Sequence, residues 1–150
     1  EVCHLQVHHL DPERNILHIV NSKENKSRFV LIPDFLISLL QEYDQRIGIT
    51  SGYMLRQLRD PECPLTSNTV KMIFQDLKIS TGIDRIHAHL LRHTFAISYL
   101  IGGGNLEFLR VFLGHYDYAA TKTYVAMAAQ MKLLGAPVYQ LDPIFFQRGY

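Results

Sequence analysis

His89, Arg92 and His93 stand at i, i+3 and i+4 in the stretch His89-Leu90-Leu91-Arg92-His93-Thr94-Phe95-Ala96. That spacing puts all three on one face of an α-helix. The run that follows, Thr94 to Ile101, is almost wholly apolar. It predicts a helix hidden on most sides, and Gly102-Gly103-Gly104 predicts its end. A guanidinium carried into such a helix needs an anionic partner or a route to water, because an unpaired buried charge is costly. The polar face at the start of this helix therefore wants an anion. A metal is a poor reading of it. His89 and His93 have the spacing of zinc-binding helices, but Leu90 stands where a metalloprotease carries its glutamate. No acidic residue or cysteine stands nearby as a third ligand. Gly-x-Ser-x-Gly is absent, neither cysteine lies in a motif, and Gly102-Gly103-Gly104 follows a helix without the lysine of a phosphate-binding loop. Neither a metal nor an organic cofactor is expected.

A tyrosine nucleophile fits better. His89-x-x-Arg92 is followed by Leu113-Gly114-His115, with 115 − 92 = 23, and Tyr124 comes nine residues after that histidine. On these three motifs, in this order and at these intervals, the chain resembles the catalytic domain of the tyrosine recombinases, also called phage integrases. The resemblance covers nearly the whole chain. It implies an α+β fold, mainly α-helical with a small antiparallel three-stranded sheet near the N-terminus. It implies Tyr124 as nucleophile, with Arg92, His89 and His115 around it and a hairpin lysine matched by Lys23, Lys26 being the second candidate. It also implies double-stranded DNA as the partner, and a homo-oligomer, a tetramer on DNA with exchange of C-terminal tails. The expected location is cytoplasmic, nucleoid-associated in a bacterial or phage-infected cell. The family carries a further arginine in Gly-x-Arg-x-Ser-Glu, and Glu1 looks like the last residue of that stretch. Residues 1–150 are thus expected to be a catalytic domain truncated at its N-terminus, its first arginine and core-binding domain upstream, and weak or inactive alone.

The chemistry is coherent on the residues themselves. Free tyrosine has a pKa of about 10, so roughly one in a thousand is ionised at neutral pH. Attack on a phosphodiester needs a nearby base, and His89 is the candidate. The pentavalent transition state gathers negative charge on the non-bridging oxygens; Arg92 offers them a planar fork and His115 a further hydrogen bond. The departing 5′-oxygen needs a proton, which a hairpin lysine, Lys23, could bring. The product is a 3′-phosphotyrosyl bond that keeps the phosphodiester energy. His93 shares the helix face but lies outside the family's catalytic set, and a structural or hydrogen-bonding role is expected for it.

Several elements must position these groups. Ile16–Val20 and Arg28–Ile32 read as strands around a polar turn from Asn21 to Ser27 that holds Lys23 and Lys26, and Leu5–Val7 is a candidate third strand. Pro33-Asp34 opens a helix with a stripe of Leu36, Leu39, Leu40 and Tyr43. Gln45 to Pro64 reads as loop, and its Arg56 and Arg59 are candidate DNA contacts or a solvated face. Thr66-Ser67-Asn68 caps a helix carrying Val70, Ile73, Phe74 and Leu77, which Thr81-Gly82-Ile83 ends. Asn105 caps a short helix whose Leu106, Leu109, Phe112 and Leu113 face inward and which Gly114 terminates. Helical character resumes from Tyr116 to Ala129. The tail beyond Lys132 is rich in large apolar side chains and broken by Pro137 and Pro143.

Composition bounds the rest. One hundred and fifty residues at 47% hydrophobic content suit about one domain with a real core. No apolar run approaches the roughly 18 residues of a membrane span. Cys3 and Cys63 read as free thiols. A net charge of +1 argues only weakly for nucleic acid. Two alternatives to recombination remain: nicking and resealing in the manner of a type IB topoisomerase, and a non-catalytic DNA-binding fragment of the same fold.

Overall fold

Alternation of side chains builds the N-terminal sheet. In a computed structural model, which describes residues 1–21, 26–57, 59–115, 118–136 and 139–147, β1 (Leu10–Asp11), β2 (Ile16–Asn21) and β3 (Lys26–Leu31) form one antiparallel sheet in that order. Leu17 pairs with Val30 and Ile19 with Arg28. Leu17 and Ile19 are buried on one face, and on the other His18 stacks on the exposed Phe29 with ring centroids 4.7 Å apart. The third strand is thus Leu10–Asp11, and Leu5–Val7 is no strand. That segment lies between two single-turn 3-10 helices, Val2–His4 and Val7–His9, the second closed by the Gln6 amide donating to Nδ1 of His9 at 3.1 Å. Lys26 sits within β3, opposite Asn21, not in the turn; Lys23 lies outside the described residues. Glu1 is held by Arg28 of β3 through two bonds of 2.8 and 2.9 Å.

The chain divides into two compact units, Glu1–Gln75 and Asp76–Tyr150. In the first, helix α1 (Asp34–Ile47) starts after Pro33, whose fixed φ suits a helix entry, and ends on Gly48 in the left-handed region at φ 72°. The helix therefore runs three residues, Gln45 to Ile47, into the stretch expected to be loop. Its buried residue is Ile37, while Leu39 is 55% exposed. The stripe expected through Leu39 is rotated: Ile37 enters the core of Leu5, Leu17, Ile19, Ile32 and Met54, with Leu36 and Leu40 alongside. Leucine at a helical interval does not say which side of the stripe carries the burial. Helix α2 (Ser67–Thr81) is capped by Thr66, whose hydroxyl accepts the Thr69 amide at 3.1 Å. None of its residues is buried, and Ile73 and Leu77 are exposed.

In the second unit, α3 (Ala88–Ile101) buries Ala96 to Tyr99 and is flanked by α4 (Leu106–Leu113) and α5 (Tyr118–Leu133). Asn105 caps α4 by accepting the amides of Glu107 and Phe108 at 2.8 and 3.0 Å. The short helix α6 (Ile144–Gln147) follows Pro143. Its Phe145 meets Phe95 and Phe112 edge-on at 5.2 and 5.9 Å, and Phe146 stacks on Tyr99 at 5.3 Å. Phe145 and Phe146 of the tail thus pack on their own unit, whereas Leu133, Leu134 and Tyr139 are exposed.

The glycines after α3 do more than stop it. A Cβ on Gly102 would stand 2.8 Å from Phe146, and one on Gly104 would stand 2.3 Å from the Tyr99 ring. Tyr99 is buried and its hydroxyl accepts the Asn105 amide at 3.1 Å, so the ring has little room to yield. Gly104→Ala is expected to cost about 1–3 kcal/mol, the usual range for overpacking a filled core. Urea unfolding checks this; an unchanged midpoint would show that the ring moves aside freely.

Candidate active site

The first turn of α3 is set by a histidine. His87, extended at φ −162° and ψ 165°, is the N-cap, and its Nδ1 accepts the Leu90 amide at 3.1 Å. It answers one of the amides that a helix start leaves unpaired. His89, next within the first turn, is exposed, its ring 6.4 Å from that of His87. One turn on, Arg92 is half-buried and donates from Nη2 to the carbonyl of Leu113, the last residue of α4. Helix C-termini leave carbonyls unpaired and carry partial negative charge. The partner of the guanidinium within the chain is therefore the end of a helix. A guanidinium has five N–H donors, so a bond to one carbonyl leaves it able to grip a phosphate oxygen.

His115 is held just past the other side of that helix end. Gly114 takes φ 69°, the left-handed conformation that a residue without Cβ adopts cheaply, and the His115 amide returns to the Arg110 carbonyl at 3.0 Å. Arg110 in turn donates from Nη1 to the His115 carbonyl at 3.1 Å. The same guanidinium bonds Glu107 at 2.5 Å and lies 5.2 Å over the Tyr118 ring, while the Tyr118 hydroxyl donates to Glu107. The Arg110 bonds hold the Glu107 carboxyl down at about 2, with the Tyr118 bond second. This brace ties α4, His115 and the start of α5 together. The imidazole is oriented by Thr121, fully buried, whose Oγ1 lies 3.0 Å from Nδ1. With Nδ1 engaged, Nε2 is the nitrogen left for a substrate.

Tyr124 completes the arrangement. Thr121, Tyr124 and Ala128 form the buried stripe of α5. The tyrosine ring, 5% exposed, lies parallel to His115, with centroids 6.1 Å apart and 6° between planes. Its hydroxyl lies 2.9 Å from Nδ1 of His93.

The structure thus gathers Arg92, His115 and Tyr124 in one unit and adds His93, which had been set outside the catalytic group. His89 sits on the same helix, exposed, and the hydroxyl of Tyr124 is bonded to His93 instead. Arg56, in the other unit, donates to its own loop, at the Tyr53 carbonyl at 2.6 Å and at the Ser51 carbonyl. Arg59 is exposed. Sequence reasoning missed Thr121 and the Arg110–Glu107 brace. The i, i+3 spacing of Glu107 and Arg110 is legible as an ion pair, but nothing in it shows that the arginine reaches the His115 carbonyl. Among the described residues, no group of three or more histidine, cysteine or acidic side chains is placed to hold a metal ion.

Residues 1–131 match the model of the phage integrase family. The chain is 28% identical over 131 residues to tyrosine recombinase XerA of Thermococcus onnurineus, covering 87% of this chain and 46% of that one. It is 30% identical over 142 residues to XerC of Lactobacillus leichmannii, with the same two coverages. The crystal structure of XerA recombinase superposes with a TM-score of 0.76 at 28% identity, over 93% of this chain and 53% of that one. The fold, mainly helical with one three-stranded antiparallel sheet, is that of tyrosine recombinase catalytic domains. The chain belongs to the phage integrase family. It spans about half the length of the curated relatives it matches.

Burial pushes the His115 imidazole below its ordinary 6.5, and the Arg92 charge pushes it further the same way. Its NMR titration midpoint is expected below 6.5, and Arg92→Gln should raise it without restoring 6.5, because burial, the larger cause, remains. The unfolded imidazole takes up its proton first as pH falls. Stability from this group is therefore complete above 6.5 and is lost as pH drops from there through the folded-state value. A midpoint at or above 6.5 in the unsubstituted protein would contradict the assignment.

Proposed function

We propose that the chain is the catalytic part of an enzyme of site-specific DNA recombination, which cleaves and rejoins double-stranded DNA through a 3′-phosphotyrosyl intermediate. One observation carries this reading: Tyr124, Arg92 and His115, far apart in sequence, meet in one site, the phenol ring flat against the imidazole. In the proposed step, Oη of Tyr124 bonds to phosphorus and the bond from phosphorus to the 5′-oxygen breaks. Arg92 and Nε2 of His115 face the non-bridging oxygens, where charge gathers in the transition state. His89, exposed at the head of α3, takes the phenolic proton, and Lys23 of the hairpin returns one to the leaving oxygen. A 5′-hydroxyl from a second strand then reverses the step.

The test uses nicked suicide duplexes, selected from a random-sequence library for covalent capture by the full-length protein. Tyr124→Phe removes only a hydroxyl. It should keep DNA binding within a few-fold and abolish the covalent adduct; an adduct that persists sinks the assignment.

The active assembly is proposed to be a tetramer on DNA, in which the C-terminal tail leaves its own unit for a neighbour's. What supports exchange is that the tail carries two phenylalanines, Phe145 and Phe146, set against α3 and α4, while the preceding Leu133, Leu134 and Tyr139 are exposed. A hinged segment with a detachable aromatic end is suited to re-docking on an identical surface. Deleting the residues after Gly135 in the full-length protein should shrink the assembly measured on DNA by light scattering, while binding to a single duplex survives. Assembly and recombination at parental levels would show that the tail only packs locally.

A further inference from the structure

We infer that His93 is a positioning residue for the nucleophile: it holds the hydroxyl of Tyr124 at a set distance from the phosphate-gripping Arg92. The inference rests on the proposal that Tyr124 attacks the DNA.

The parallel stack with His115 fixes the plane of the Tyr124 ring. Stacking between flat rings resists tilting far more than in-plane sliding, so it leaves the oxygen free to move within that plane. The bond to His93 Nδ1, 2.9 Å long, acts at the far end of the ring and removes this freedom. The two rings are tilted by 54°, so His93 meets the phenol through the hydrogen bond and not by stacking. The bond exists with either imidazole tautomer, since a hydroxyl both donates and accepts. It therefore constrains the oxygen whichever nitrogen carries the proton.

The second half of the argument is where His93 is attached. It follows Arg92 directly on α3, a helix whose next turns are buried and packed along α5. Adjacent helical residues project about 100° apart, so this one rigid turn sends a guanidinium to one side and the phenol's partner to the other. Arg92 is itself pinned to the Leu113 carbonyl. The separation between the phosphate site and the attacking oxygen is thereby set by a single peptide unit of a helix anchored by its buried later turns. In-line attack needs the reacting atoms about 3–3.5 Å apart, and a misplacement of ~1 Å can cost ~100-fold. A purely structural reading explains the polar contact as an answer to a buried hydroxyl. That buried hydroxyl is also the attacking oxygen, so the bond that answers it sets where the nucleophile stands.

The test compares His93→Leu with His93→Asn in the full-length protein, with Tyr124→Phe alongside, on the suicide duplexes described above. Asparagine carries a hydrogen-bonding atom near the place of Nδ1 but has no titratable nitrogen. His93→Leu is expected to slow single-turnover adduct formation at saturating DNA by ~10- to 100-fold, leaving the DNA Kd unchanged and the protein folded at the assay temperature, and His93→Asn to recover most of that loss. Adduct formation by His93→Leu at the parental rate would show the bond to be idle and overturn the inference. So would His93→Asn as slow as His93→Leu, because the imidazole would then be needed for its proton and not for placement. If Tyr124→Phe still forms the adduct, the nucleophile assignment fails instead, and the two failures are told apart.

Discussion

A buried phenol has to find a hydrogen-bond partner, since a buried polar group left unpaired costs about 1–3 kcal/mol. In this chain the partner of Tyr124 is His93, and the bond joins the middle of α5 to the second turn of α3. The rest of the second unit is arranged so that this bond can form. Helix α3 is polar at its start and apolar afterwards. Its later turns are buried beneath α4, α5 and the tail, while its first turns emerge with His89, Arg92 and His93. Burying the whole helix would strand a guanidinium and two imidazoles without water. Exposing the whole helix would release the aromatic cluster built on Phe95 and Tyr99.

The helix termini supply what the side chains cannot. The end of α4 serves two catalytic candidates at once. Its last carbonyl receives Arg92, and its left-handed glycine turns the chain so that His115 faces Tyr124. Arg110 then locks the loop from behind by bonding the His115 carbonyl while Glu107 holds its charge. Exposed ion pairs of this kind contribute little to stability. The value of this one is geometric, because the backbone it braces carries an imidazole that must stay put.

The aromatic cluster links the site to the tail. Phe95 stacks on Phe112 at 4.9 Å, Tyr99 on Phe146 at 5.3 Å, and Phe145 closes the gap edge-on. Such pairs are worth about 0.5–1.5 kcal/mol each beyond the area they bury. That is enough to hold a short terminal helix and little enough to let it go. Gly102 and Gly104 make the arrangement possible by letting rings approach the backbone where any Cβ would collide.

The local features were legible in the residues. The hairpin pair, the helix starts at Pro33, Thr66 and Asn105, and the terminators Gly82 and Gly114 follow from backbone chemistry that each residue carries alone. The motif spacing also brought Arg92, His115 and Tyr124 onto one list before any coordinates. What could not be read was which partner each polar group takes. Arg92 found a backbone carbonyl, Tyr124 found His93, and Arg110 reached around to the His115 carbonyl. The burial of Ile37 in place of Leu39 is of the same kind. Periodicity states that a helix has an apolar side, but only the packed neighbours define where the side lies. Partner choice depends on distances between elements remote in sequence, and those distances exist only once α3, α4 and α5 have packed.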